Sequence, residues 1–415
     1  MAPGREEESI VIVGAGMAGV KAAEGAREAG WQGRIQLVGA EPFLPYERPP
    51  LSKGILQGAE GPRAALIHDD GWEVAHEVEL LLGARAESID LAARRVQLAG
   101  GPALAFSSLV LATGCSARRP TLPGAQLEGV LTLRSLEDSL ALRDRLLPGS
   151  RLVVIGTGWI GTEVAASARQ RGVEVVLVGS QAAPLERTLG PEVGAFYGRL
   201  HRDHGVELRM GSAVTAIEGE ERVTRVRLED GALLAADTVV LGVGSQPETG
   251  LAEAAGLALG EGGVLADERL VTEHPRVLVA GDIAAAVHPV LGSRLRVEHW
   301  ANALDQGLLA GGNAAGGSSA YDRIPYFFSD QYEAGMEYSG WPVPYDEVVF
   351  RGSPEAGAFV AFYLSGGVVV GGVNVNVWDV NEHVQALVRA GTPARRDVLA
   401  DEGADPAEWV SAALA

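Results

Sequence analysis

Short apolar runs that open onto glycine punctuate the first two thirds of the chain. Ile10-Val11-Ile12-Val13 is followed by Gly14-Ala15-Gly16-Met17-Ala18-Gly19, then by an alanine-rich stretch ending near Gly30, then by Ile35 to Val38. That pattern predicts strand, tight turn, helix and strand. It returns at Leu152-Val153-Val154-Ile155, Gly156-Thr157-Gly158-Trp159-Ile160-Gly161, a helix stopping at Gly172, and Val175 to Val178. Each module has an echo, a run ending in small residues: Leu109 to Gly114 for the first, Val239 to Gly244 for the second. A third strand-to-glycine signal, Val277 to Asp282, should return the chain to the first module.

Past about Ile324 the pattern changes. Aromatic residues cluster at Tyr326, Phe327, Phe328 and Tyr332, and Phe359–Leu364 and Val368–Val377 follow as strand-like stretches. These predict an antiparallel sheet, followed by helices near Asn381–Ala390 and Pro406–Leu414. The expected fold class is α/β: two Rossmann-like nucleotide-binding domains, the second inserted in the first, plus a C-terminal α+β domain. The expected boundaries are 1–117 and 246–323 for the first domain, 118–245 for the second and 324–415 for the third.

Gly-x-Gly-x-x-Gly between a strand and a helix is the dinucleotide fingerprint. The first glycine permits the turn, the second lets backbone approach a pyrophosphate, and the third lets helix pack on strand. The free N–H groups of the helix N-terminus then face the phosphates. One copy is weak evidence, and two in the right context are strong. Gly14, Gly16 and Gly19 form the first set, and Gly156, Gly158 and Gly161 the second. An acid about 20 residues on binds a ribose, and Glu41 is the candidate in the first module. In the second, Gly179, Ser180 and Gln181 follow the strand and none is acidic. With Arg187 nearby, NADH is expected with NADPH also admitted, and Gly179→Glu is expected to sharpen the preference for NADH.

The chain has 415 residues, a net charge of −20 and one cysteine, Cys115. Such an acidic protein is a poor partner for nucleic acid. No apolar run approaches the 18 residues of a membrane span. The opening, Met1 to Ser9, is acidic and unlike a signal peptide, so a cytoplasmic location is expected. A single cysteine excludes an intrachain disulfide or a Cys-x-x-Cys redox pair. No metal site is predicted.

Tyr46-Glu47-Arg48-Pro49-Pro50-Leu51-Ser52-Lys53 lies between the fingerprints. With it go Leu133 to Asp138, Ala280-Gly281-Asp282, Val297 to Asn302, and Phe328-Ser329-Asp330-Gln331-Tyr332. Across nearly its whole length the chain resembles the oxygenase-coupled, FAD-dependent NAD(P)H:ferredoxin reductases of the putidaredoxin reductase and biphenyl dioxygenase reductase type. These belong to the pyridine nucleotide-disulfide oxidoreductase superfamily.

The resemblance implies that FAD is held by the first fingerprint, including Ala18, together with Ala40, Glu41, Arg48 and Lys53. Ala86, Ala112, Thr113 and Gly114 would join them, as would Arg134 near the pyrophosphate, Gly281, Asp282 at the ribityl chain, and Trp300 beside the isoalloxazine. It implies that the nicotinamide nucleotide is held by the second fingerprint, Ile160, Glu163, Gly179, Ser180, Arg187, Gly244 and Glu298. Lys53 and Glu163 are the implied catalytic pair, Lys53 at the flavin N5 edge and Glu163 in the first turn of the second nucleotide helix. A solvated lysine and a carboxylate favoured by the helix dipole are the plainer readings. Phe328 stands where relatives carry tryptophan.

The implied reaction is hydride transfer from NAD(P)H to FAD. With no thiol pair to receive them, electrons leave singly to a [2Fe–2S] ferredoxin serving a cytochrome P450 or a ring-hydroxylating oxygenase. A rubredoxin, a quinone or dioxygen as acceptor remains open, as does a redox sensor akin to apoptosis-inducing factor. A monomer or weak homodimer is expected. Residues 324–415 hold four Lys or Arg against 13 Asp or Glu, so electrostatic steering of an acidic ferredoxin should be weak. Arg323, Arg351, Arg389, Arg395 and Arg396 are the candidates for a local basic patch.

Overall fold

The computed structural model describes residues 8–414, and the acidic opening stretch read above as unlike a signal peptide lies largely outside the described residues. The chain divides into two units, each built from three segments. The first comprises the chain up to Glu47, Ala65–Ser116 and Gln246–Pro325; the second comprises Arg48–Ala64, Ala117–Ser245 and everything from Tyr326 onward. The Arg48–Ala64 segment, expected within 1–117, thus groups with the second unit. No helix of the described residues is long and apolar enough to cross a membrane.

The first unit is organised around a parallel sheet. Strand β1 (Ser9–Val13) leads through helix α1 (Met17–Glu28) to β2 (Arg34–Val38). β1 lies between β2 and Ser108–Leu111, and Val78–Leu81 and Val277–Val279 close the two edges. Ile10, Val11 and Ile12 are fully buried, as unbroken apolar runs must be when a parallel sheet is covered on both faces. α1 packs against the Trp300–Ala314 helix through glycines. A Cβ on Gly25, Gly307 or Gly311 would run into the backbone carbonyls of Leu308, Ala18 and Ala22 respectively, so the two backbones approach as no larger residue would allow.

The second unit repeats the plan. β3 (Arg151–Ile155), α2 (Trp159–Gln170), β4 (Glu174–Gly179), α3 (Glu186–Asp203) and the strands Glu207–Met210, Thr238–Leu241 and Val130–Leu131 form the second nucleotide-type sheet. The echo runs take equivalent places. Ser108–Leu111 pairs in parallel with β1, and Thr238–Leu241 with β3.

β5 (Tyr326–Gln331) begins a five-stranded antiparallel sheet completed by Ala334–Gly340, Val368–Val375, Ala358–Ser365 and Glu347–Ser353, in that spatial order. The helices expected at Asn381–Ala390 and Pro406–Leu414 are present. α3 shares its core with this sheet: Leu189, Val193, Phe196 and Tyr197 pack with Phe327, Met336, Tyr338 and Phe359. α3 is kinked at Gly190, whose φ is +77°, just before Pro191.

Candidate functional site

The two glycine turns are built alike. Gly14 and Gly156 have φ of +116° and +109°, a region that disfavours any side chain. A Cβ on either would also collide with the carbonyl of Ala112 or Gly242. Gly19 and Gly161 would collide with the carbonyls of Gly14 and Gly156. The middle glycines differ. Gly16 and Gly158 have ordinary extended backbone, and a Cβ there would meet nothing within 4 Å. Protein packing gives no reason for glycine at these two positions, whereas a pyrophosphate lying against the backbone does. Both helices also begin without a capping side chain and without an acid in the first turn, which leaves their N–H groups for an anion. The residues therefore fit two dinucleotides, one per unit.

The register shows what Gly179 does. Val13 pairs with Val38, and Ile155 with Val178, so Gly39 and Gly179 correspond, and Glu41 matches Gln181. A Cβ on Gly39 would lie 2.8 Å from the Ala15 Cβ, and one on Gly179 would lie 2.5 Å from the Thr157 Cγ2. Gly179 is thus a packing glycine beneath the second fingerprint residue, and Gln181 stands where the first module carries its acid. A glutamate at position 179 would therefore have to displace the Thr157 side chain.

In the first unit Glu41 accepts a hydrogen bond from Tyr46. Thr113 Oγ1 donates to the Glu248 carbonyl at 2.7 Å, and Gly114 has φ of +68°. Gly281 donates its N–H to Gln306 Oε1 at 2.9 Å, which seats Gly281 and Asp282 on the Trp300–Ala314 helix. Burial pushes the Glu47 carboxyl up, and Trp300, Lys21 and His68 draw it back. Ala40 is exposed and Ala86 half-buried. Glu298, assigned above to the nicotinamide nucleotide, belongs to the first unit and pairs with Arg296 at 2.5 Å.

The second unit brings Lys53 and Glu163 together from 110 positions apart. Lys53 Nζ is 2.9 Å from Glu163 Oε1, with side-chain exposures of 18% and 6%. Glu163 is the fifth residue of α2, so its expected first-turn position is corrected: its placement follows from the face of α2 it occupies rather than from the helix end. Lys53 is delivered by a pinned segment. Ser139 Oγ donates to Leu51 O at 2.7 Å, Ser167 Oγ to Ser52 O at 2.6 Å and Arg171 Nη1 to Gln57 O at 2.7 Å. Arg48 Nη1 donates to the carbonyl of Arg134 at 2.6 Å.

Three further groups, to which the sequence assigns no role, surround Glu163. Ser52 Oγ donates to Oε2, Ser329 Oγ donates to Oε1 at 2.7 Å, and Gln331 stands behind Ser329 at 3.3 Å. On β5, Phe327, Ser329 and Gln331 are buried, while Tyr326, Phe328 and Asp330 are not. Lys53 Nζ lies 5.9 Å from the centroid of the Phe328 ring. The Asp330 carboxyl is pushed up by burial and by Glu163, and pulled down by Lys53.

The other expected residues lie on the surface of this unit. Ile160 is 41% exposed, and Gly244 has φ of +106° with open space around it. Ser180 and Arg187 are exposed, and Arg187 lines a cavity of about 340 Å³ with Gly190, Trp341 and Tyr345. The candidate basic patch is largely committed elsewhere. Arg351 donates to the carbonyls of Asp401, Glu402 and Ala404 and lies 4.5 Å from the centroid of the Trp409 ring. Arg395 pairs with Asp397 at 2.6 Å, and Arg396 pairs with Glu347.

Two family models account for most of the chain: pyridine nucleotide-disulphide oxidoreductase over residues 8–307, and reductase C-terminal over residues 326–409. The chain belongs to the pyridine nucleotide-disulphide oxidoreductase family. It is therefore an oxidoreductase of a family that implies FAD and NAD(P). Its relatives include putidaredoxin reductase of Pseudomonas putida, 36% identical with 98% of each chain covered. Another is the anthranilate 1,2-dioxygenase system ferredoxin–NAD(+) reductase component of Burkholderia cepacia, 36% identical with 95% and 97% covered. Among solved structures, the covalent putidaredoxin reductase–putidaredoxin complex matches with a TM-score of 0.94 at 35% identity, covering 98% of this chain and 99% of that one. The fold class read from the sequence is the family's fold.

Proposed function

We propose that this oxidoreductase is an NAD(P)H:ferredoxin reductase that passes electrons to a [2Fe–2S] ferredoxin serving a cytochrome P450 or ring-hydroxylating oxygenase. NADH is the expected donor, with NADPH admitted because Gln181 rather than an acid stands at the second ribose position. One observation carries the reading. The chain's single cysteine, Cys115, is buried, so the dithiol route used elsewhere in such a fold has no counterpart within this chain. Relatives along the whole length are named as a putidaredoxin reductase and as a ferredoxin–NAD(+) reductase component, which supports the same acceptor class.

On this reading the first unit holds FAD and the second holds the nicotinamide nucleotide. Bound FAD would supply the conversion of one hydride, two electrons at once, into two single-electron departures. The residues contribute position and charge. Gly16 and Gly158 admit the two pyrophosphates to the backbone. Lys53 supplies a positive charge held in place by Glu163, suited to a centre that gains negative charge on reduction. Per turnover, one NAD(P)H loses a hydride, two ferredoxins each gain one electron, and one proton is released.

The test is anaerobic stopped-flow reduction of the purified yellow protein by NADH and NADPH, followed by cytochrome c reduction with and without a [2Fe–2S] ferredoxin. Fast flavin bleaching and ferredoxin-dependent cytochrome c reduction are expected. A colourless protein that stays so after reconstitution with FAD refutes the reading. Rapid turnover with dioxygen or a quinone, and none with ferredoxin, refutes the acceptor.

A further inference from the structure

Behind Glu163 the second unit contains a chain of buried polar side chains that the pairing with Lys53 does not require. Gln331 of β5 is 1% exposed, and His201 of α3 and Thr162 of α2 are fully buried. His201 Nε2 is 2.9 Å from Gln331 Oε1. Gln331 Nε2 lies 3.0 Å from Thr162 Oγ1 and 3.3 Å from Ser329 Oγ. Ser329 Oγ lies 2.7 Å from Glu163 Oε1.

We propose that His201 and Gln331 are positioning residues that fix the direction of the hydrogen bonds reaching Glu163. The inference rests on the reading above, in which Glu163 holds Lys53 at the reacting centre. The direction follows from donor and acceptor inventory. Among the described residues, His201 Nδ1 has no hydrogen-bond partner. A buried N–H without a partner is costlier than a buried lone pair without one, so the ring proton sits on Nε2 and donates to Gln331 Oε1. This tautomer turns the amide so that its NH₂ faces the two hydroxyls. Thr162 can accept, because its own proton is used by the carbonyls of Gly158 and Trp159 at 3.1 and 3.0 Å. Ser329 also accepts from the amide, which leaves its proton one destination, the Glu163 carboxylate. Reversing the amide would leave Ser329 donating to Gln331, and Glu163 would lose one of its three donors.

Burial holds the His201 ring neutral by lowering its pKa to about 4, so the arrangement does not switch through the neutral pH range. The ring is further held edge-on to Tyr332, with centroids 5.6 Å apart.

Three variants test this. His201→Leu removes the donor, His201→Gln returns an N–H near the same place, and Gln331→Glu replaces the amide donors with an acceptor that takes the Ser329 proton. Two measurements are made on each FAD-loaded protein: nitrogen-15 NMR of the histidine rings, and stopped-flow flavin reduction across NADH concentrations. The wild type should show His201 as the Nε2–H tautomer. His201→Leu and Gln331→Glu should slow the limiting reduction rate about tenfold, the rate equivalent of one hydrogen bond to a charged group. The NADH dissociation constant should stay unchanged, and His201→Gln should restore most of the rate. An Nδ1–H tautomer overturns the inference. So do unchanged rates in both His201→Leu and Gln331→Glu, or slowing that His201→Gln fails to restore, since packing and not the donor then carries the effect. A wild-type protein that NADH does not reduce at all sinks the preceding reading and this one together. Normal wild-type reduction with unaltered variants sinks this one alone.

Discussion

Replacing Lys53 with methionine keeps the stem of the side chain and removes its charge. Glu163 is 5% exposed, so its carboxylate cannot recover the lost interaction from solvent and keeps only the Ser52 and Ser329 hydroxyls. Breaking a buried pair from one side costs about 3–5 kcal/mol. The two remaining donors, and a Lys53 side chain that is itself 18% exposed, place this case near the lower limit, about 3 kcal/mol. Glu163→Leu should cost less, because the freed ammonium can turn toward water. The double variant Lys53→Met with Glu163→Leu should fall short of the sum of the singles by about 2 kcal/mol, the signature of direct coupling. The assay is denaturant unfolding of the FAD-loaded wild type, singles and double, repeated at low and high salt. Because the pair is largely buried, the coupling should change little with salt. Additive single effects, each below about 0.5 kcal/mol, would falsify the picture of a desolvated pair.

The fingerprint glycines should separate folding from binding. Gly19→Ala drives a Cβ into the Gly14 carbonyl and should lower the unfolding midpoint, while Gly16→Ser should leave the midpoint of FAD-free protein unchanged and shed FAD on gel filtration. Acid should destabilise the protein through His201 and His299, whose pKa values burial lowers to about 4. The unfolded chain then binds more protons between about pH 4 and 6.5, so stability falls across that window as pH drops, by about 1.4 kcal/mol per pH unit for each histidine. His201→Gln should flatten the slope in a pH series of unfolding curves. For nucleotide choice, Gly179→Glu alone should lower the melting temperature, and pairing it with Thr157→Gly should recover it. Gln181→Glu is the change expected to raise the NADH-to-NADPH ratio in flavin reduction, and an unchanged ratio would remove Gln181 from the ribose site.

The parts of the site that are legible in the sequence are those set by local geometry. A turn that needs positive φ at Gly14 and Gly156, with two more glycines at fixed offsets, must appear as a spacing. The same holds for the strands flanking it, because burial on both faces demands unbroken apolar runs. Lys53 and Glu163, 110 residues apart, have no local signature, and only the resemblance links them. Ser329 and Gln331 have no visible role in the sequence because alternation along β5 shows but the buried face does not, and His201, on α3, carries no local signature either. It could have been Phe328 and Asp330 that faced α2. At Gly179 an absent carboxylate looks the same in sequence whether a ligand contact is missing or a neighbouring threonine fills the space. Register, which the alignment of β3 with β4 supplies, tells the two apart.

The crossing of α1 with the Trp300–Ala314 helix has a consequence for engineering. Exchanging helical glycine for alanine is a standard way to stabilise a protein, because it restricts the unfolded chain. At Gly25, Gly307 and Gly311 the exchange should act in the opposite direction, since each new methyl would prise apart main chains already in contact. Because α1 begins at the Gly14–Gly19 turn and its partner helix begins at Trp300, a wedge placed there would be felt at both ends at once. Thermostabilising libraries for this enzyme should therefore leave these three positions fixed.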